Sequence, residues 1–216
     1  MQKPMITSLP NLLTYLRIIM VPALVATFYM EGDNAHWAAL ALFTVASVTD
    51  YFDGYLARAW EQQSNLGRML DPIADKLLVS AALLMLVANG TIGWGSVPAA
   101  VVILSREILV SGLREYLAEL RVSVPVSNLA KWKTAIQMIS LGFLLAGPAG
   151  DQVLPHNTQI GIVLLWVAAM LTLYTGYDYM VAGLRHIIDE DIQIQKDQDE
   201  QKQENQTASN QGDGTQ

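Results

Sequence analysis

Six apolar runs of about 20 residues each, the length needed to cross a bilayer as a helix, dominate this chain. They fall at 11–30, 36–58, 70–90, 95–119, 128–148 and 158–182. Backbone groups in hydrocarbon must satisfy one another within a segment, so runs of this kind predict helices. The fold class that follows is all-α: a polytopic membrane helix bundle with six transmembrane helices. The joints at 31–35, 89–95 and 148–157 carry the turn formers Gly, Pro, Asn and Asp and contain no Lys or Arg. Twelve of the thirteen Lys and Arg residues lie at the opposite helix ends or in the termini, Arg106 being the exception. The positive-inside rule then puts both termini and the joint between the second and third runs on the cytoplasmic side. Trp37, Trp60, Trp94 and Trp132 fall near predicted span ends, as interfacial aromatic belts do.

Hydrophobic residues make up 52% of the chain and charged residues 15%, which excludes an ordinary soluble domain of this length. Cysteine is absent, so disulfide frameworks, thiolate catalysis and sulfur-ligated zinc are excluded as well. The net charge of −7 resides mostly in the segment from Arg185 onward, so it does not argue against an anionic substrate. Beyond Ile194 the residues are polar and rich in Gln and Asp, and a disordered C-terminal tail is expected there. The domain reading is a membrane domain over 1–188 and a polar, acidic tail over 189–216. At the other end, a short N-terminal interfacial segment is expected over 1–14, with Pro10 and Asn11 opening the first helix. No nucleic-acid partner is expected. His36, His156 and His186 show no ligand spacing and read as interfacial residues.

Between the second and third runs the chain reads DYFDGYLARAWEQQSNLGRMLDPIAD, from Asp50 to Asp75. On helices, the i to i+3 spacing of Asp50 and Asp53 and the i to i+4 spacing of Asp71 and Asp75 each place two carboxylates on one face. Gly54 and Ala57 share the first face, where their small size lets a flat group approach the backbone, and Gly67 shares the second. Asp71 precedes Pro72, a pairing expected in the first turn of a helix, near the positive end of its dipole. Four carboxylates this close repel one another and take up protons unless a cation sits among them. A hard divalent ion, Mg²⁺ or Mn²⁺, suits all-oxygen ligation. A polar, water-filled groove would not need four acids, since neutral side chains meet that need without the desolvation cost.

The same run matches D-x2-D-G-x2-A-R-x8-G-x3-D-x3-D at Asp50, Asp53, Gly54, Ala57, Arg58, Gly67, Asp71 and Asp75. It resembles the signature of the CDP-alcohol phosphatidyltransferases at every position. The glycines, Ala57 and Arg58 separate it from isoprenyl-diphosphate enzymes, which also use paired aspartates. The resemblance implies one or two divalent ions held by the four aspartates, with Asp75 also acting as the catalytic base. It implies a CDP-diacylglycerol site formed by Gly54, Ala57, Arg58, Gly67 and Ser64, together with Asn11 and Thr14 of the PNLLT segment. A bacterial inner-membrane location, with the active site cytoplasmic, follows from it too. A homodimer surrounded by membrane lipids is expected.

SREILVSGLREYLAEL, from Ser105 to Leu120, and AKWKT, from Ala130 to Thr134, resemble one branch of that family, the bacterial phosphatidylglycerophosphate synthases. What this implies is transfer of a phosphatidyl group to glycerol 3-phosphate, with the acceptor's phosphate bound by Arg106, Arg114 and Lys131. Arg106 lies well inside a predicted span, where a cation faces protein or a cavity. Lys131 and Lys133 are two residues apart and point in different directions on a helix. Two rival readings remain open here. One is the same chemistry with serine, inositol phosphate or phosphatidylglycerol as acceptor. The other is a divalent-cation transporter, which needs acidic groups along a route through both leaflets.

Overall fold

The computed structural model describes residues 9–59, 65–119 and 128–212, and within them the side chains of 12–50, 70, 72–118 and, with gaps, 129–188. Six helices account for most of these residues: α1 (Leu9–Thr27), α2 (Asp33–Ala59), α3 (Asn65–Ala88), α4 (Val97–Glu119), α5 (Asn128–Val153) and α6 (Asn157–Gly212). No strand occurs among the described residues. Each helix covers one apolar run, so the all-α expectation holds. By length and composition, one helix among the described residues, Asn157–Val181, is long and apolar enough to cross a membrane, and Leu12–Thr27 is a shorter apolar stretch.

Two expectations are corrected. Helix α3 starts at Asn65, so Pro72 lies inside it and not in its first turn. Leu66, Arg68, Met69 and Leu70 are good helix formers and carry the helix back past the proline. Asp71 and Asp75 therefore lie beyond the first turn, to which the influence of the helix dipole is confined. The tail expected to be disordered continues α6 as helix through Gly212. After Gly183 the chain contains no proline, and no glycine before Gly212 itself. Gln, Glu and Lys also have favourable helix propensity.

Helix α1 packs against α2 and α3, α2 against α5, α5 against α6, and α6 against α4. Phe43, Leu83, Leu86, Ile103, Leu144 and Leu165 form the centre of the core. Ala46, Ala82, Ala99 and Ala168 are fully buried between them, and their small size lets helices approach closely. The outer surface is also apolar: Leu84, Ile108, Val163 and Met170 are each more than half exposed.

Helix α5 bends at Gly147, whose φ of 45° is open to glycine and strained for other residues. Pro148 follows and donates no backbone hydrogen bond. Asn157 compensates across the joint, its buried Nδ2 donating to the carbonyls of Phe143 (2.8 Å) and Gly147 (3.2 Å). The next residue, Thr158, donates from its backbone N–H to Asp151 Oδ1 at 3.0 Å and from Oγ1 to Oδ2 at 2.7 Å. These bonds hold the Asp151 carboxyl below its usual value of 3.8, with the Thr158 hydroxyl the largest cause. A depressed carboxylate contributes stability above the unfolded-state pKa and loses it as pH falls. Wild type should therefore have a higher Tm than Asp151→Ala at neutral pH, and the gap should close as pH falls below 3.8. A gap that stays constant down to about pH 3 in the same detergent would contradict this linkage.

Candidate active site

Helix α1 contacts both aspartate-bearing helices, and Arg17 sits on it with no exposed side-chain surface. Its Nη1 lies 2.6 Å from Oδ1 of Asp50, which is 43% exposed. A guanidinium buried in an apolar helix requires such a counter-charge, because an uncompensated buried charge is strongly destabilising. In the sequence Arg17 is a lone charge inside the first apolar run, with nothing nearby to mark its partner. Asp75, half-buried on α3, lies within electrostatic reach of Asp50, Glu107 and Arg17. The fold thus brings a carboxylate of α2 and one of α3 to a common region with a buried cation beside them. Thr14, one turn before Arg17 on α1, is buried at the same end.

Backbone positions place Asp53, Gly54, Ala57 and Arg58 in α2, and Gly67 and Asp71 in α3, as their helical spacing requires. The side chains of Asn11, Asp53, Ala57, Arg58 and Asp71 lie outside the described residues, as does Ser64 altogether. Among the described residues no group of three or more potential metal-ligating side chains occurs. The donor chemistry fits a hard divalent ion nonetheless: Asp50 and Asp75 bring carboxylates from two helices within electrostatic reach of each other, and Asp53 and Asp71 stand one turn away from them on the same helices.

Beyond Asp75, a small cavity of about 50 Å³ opens between α3, α4 and α5. Its polar lining comprises Asp75, Lys76, Ser80, Glu107, Thr134 and Gln137. Lys76 turns back on its own helix, Nζ donating to the Pro72 carbonyl at 3.0 Å. Glu107 is ion-paired and hydrogen-bonded to Lys133, which is 2% exposed. Lys131 is exposed on α5. Lys133, two residues on, is the lysine that the helix turns toward Glu107 and Asp75.

Arg106 is mostly buried, its side chain 13% exposed, and its Nη1 lies 3.8 Å from Glu107. Its Nη2 donates to Thr175 Oγ1 at 3.3 Å, and that hydroxyl spends its own proton on the Leu171 carbonyl at 2.8 Å. The Arg106 Nε is buried without a hydrogen-bond partner. Gly176 makes room for this side chain: a Cβ there would lie 2.9 Å from Arg106 Cγ and 3.3 Å from Nε. Arg114, further along α4 and exposed, stacks over the Tyr179 ring with its guanidinium carbon 5.6 Å from the centroid. The two arginines influence each other electrostatically. Glu107, Thr175 and Gly176 were not singled out in the sequence. An acid next to a cation inside an apolar run was the available signal for Glu107, whereas nothing local marks Gly176.

At the other end of the bundle, His36 Nδ1 lies 3.2 Å from the Leu145 carbonyl.

Residues 7–174 match the family model described as CDP-alcohol phosphatidyltransferase. The chain is 46% identical over 175 residues to the CDP-diacylglycerol--glycerol-3-phosphate 3-phosphatidyltransferase of Rickettsia bellii, covering 81% of this chain and 94% of the relative. Proteins of the same name are 42% identical over 185 residues in Shigella flexneri serotype 5b and 38% identical over 218 residues in Cereibacter sphaeroides. Each of these two alignments covers 85% of this chain and 98% of the relative.

Proposed function

The chain belongs to the CDP-alcohol phosphatidyltransferase family, and from that premise we propose that it transfers the phosphatidyl group of CDP-diacylglycerol to sn-glycerol 3-phosphate. The products are phosphatidylglycerophosphate and CMP. The observation that carries the reading is the adjacency of two unlike polar sites: carboxylates at Asp50 and Asp75, and cations at Arg106 and Lys133 joined through Glu107. The first suits a metal-bound diphosphate, and the second suits a phosphorylated acceptor.

In this reading Asp50, Asp53, Asp71 and Asp75 would hold one or two divalent ions, Mg²⁺ or Mn²⁺, which would neutralise charge at the diphosphate. The small residues Gly54, Ala57 and Gly67, with Asn11, Thr14, Arg58 and Ser64, receive CDP-diacylglycerol. Arg17 keeps the Asp50 carboxylate turned toward the site. Asp75 accepts the proton of the acceptor's 1-hydroxyl as its oxygen bonds to the phosphatidyl phosphorus and the bond from that phosphorus to the CMP oxygen breaks. The electron pair of the broken bond leaves with CMP. Arg106, Arg114 and Lys133 hold the acceptor's phosphate, with Lys131 as an outer cation.

The apolar outer surface and the segregation of Lys and Arg to one end support six membrane spans, with both termini and the active site cytoplasmic in a bacterial inner membrane. The catalytic domain is assigned to 1–188 and the protein to a homodimer among membrane lipids.

Acceptor assays on the purified protein test the function. With CDP-diacylglycerol and Mg²⁺, CMP release should be at least about 100-fold faster with glycerol 3-phosphate than with serine, because only the former satisfies the cations. Preference for serine, inositol phosphate or phosphatidylglycerol would reassign the acceptor.

A further inference from the structure

Gln137 lies on α5 one turn after Lys133, is 2% exposed, and lines the cavity that also holds Asp75 and Glu107. Its Oε1 is buried and has no hydrogen-bond partner. A buried acceptor atom left unpaired is costly and uncommon, so its presence at a cavity wall calls for a donor that arrives from the cavity. The volume of about 50 Å³ exceeds the 10–15 Å³ or so that one water needs. The carboxylates of Asp75 and Glu107 on the same wall disfavour an anionic group there and favour a neutral hydroxyl.

Resting on the acceptor reading above, the geometry points to Gln137 as the residue that receives the C2 hydroxyl of glycerol 3-phosphate. The acceptor then spans the two polar sites. Its phosphate lies on the Arg106 and Lys133 side, its C1 hydroxyl faces Asp75, and the intervening C2 hydroxyl donates to Gln137 Oε1. Gln137 is thus a substrate-binding residue that determines specificity for a polyol phosphate over a simple hydroxyalkyl phosphate. Sites that hydrogen-bond a substrate hydroxyl reject the analogue lacking it, because their own polar atom is then stranded.

The test compares glycerol 3-phosphate with 3-hydroxypropyl phosphate, which retains the reactive hydroxyl and the phosphate but lacks the C2 hydroxyl. Full-length wild type should favour glycerol 3-phosphate by about 10- to 100-fold in kcat/KM. Gln137→Met, of similar length and unbranched, should lower kcat/KM for glycerol 3-phosphate by that factor, leave the analogue nearly unaffected, and leave the KM for CDP-diacylglycerol unchanged. Should Gln137→Met not fold, Gln137→Asn, which draws the amide back by one methylene, carries the same expectation. Equal use of both esters by wild type overturns the assignment, as does a variant that loses equally on both, the outcome expected if the cavity holds only water. Turnover of serine with neither ester overturns the acceptor reading as well, and so separates the two failures.

Discussion

Asp75→Asn should reduce turnover by about 10²- to 10⁴-fold, the usual contribution of a positioned general base. Asparagine keeps the shape of the side chain and an oxygen that can meet a cation, but it cannot take up the acceptor's proton. Asp75 is half-buried, borders a cavity that Glu107 also lines, and stands in electrostatic reach of Asp50. Asp50→Asn perturbs a different function. It neutralises the partner of a buried Arg17, so CDP-diacylglycerol binding and thermal stability should fall together. Turnover by CMP release and direct CDP-diacylglycerol binding, measured on both variants, separate the roles. Near-wild-type turnover in Asp75→Asn would remove the base assignment, and an equal binding loss in the two variants would make Asp75 a ligand only.

Lys133→Met should lower kcat/KM for glycerol 3-phosphate by about 10- to 100-fold, corresponding to the loss of one charge-assisted contact. It should also lower Tm, because Glu107 would be left facing Arg106 alone at 3.8 Å. Lys131→Met should change both by no more than about twofold in rate and little in Tm, as an exposed position does. The pair discriminates between an inward and an outward cation two residues apart on one helix. If Lys131→Met is the damaging change and Lys133→Met is silent, the phosphate site faces outward and the Glu107 link is purely structural. A Tm loss in Lys133→Met without any change in acceptor kinetics would have the same meaning for Lys133.

The sequence by itself determined the number and approximate place of the helices among the described residues and the pairing of aspartates on α2 and α3. It did so because apolar length and helical spacing are local properties, written in consecutive residues. It also marked Arg106, since a cation inside an apolar run is visible without any partner. It misjudged the start of α3, where the proline signal was outweighed by the helix formers before it, and the tail, where low apolar content does not prevent a helix. Only the tertiary structure decided which helix faces meet. Arg17 and Asp50 are 33 positions apart and become partners because α1 packs on α2. Lys133 meets Glu107 and Lys131 stays exposed because of the rotation of α5. Arg106 settles against α6 because Gly176 has no Cβ to hold it off. Periodicity tells which residues share a face, but the azimuth of each helix is set by contacts between side chains distant in sequence, and no single stretch of residues contains them.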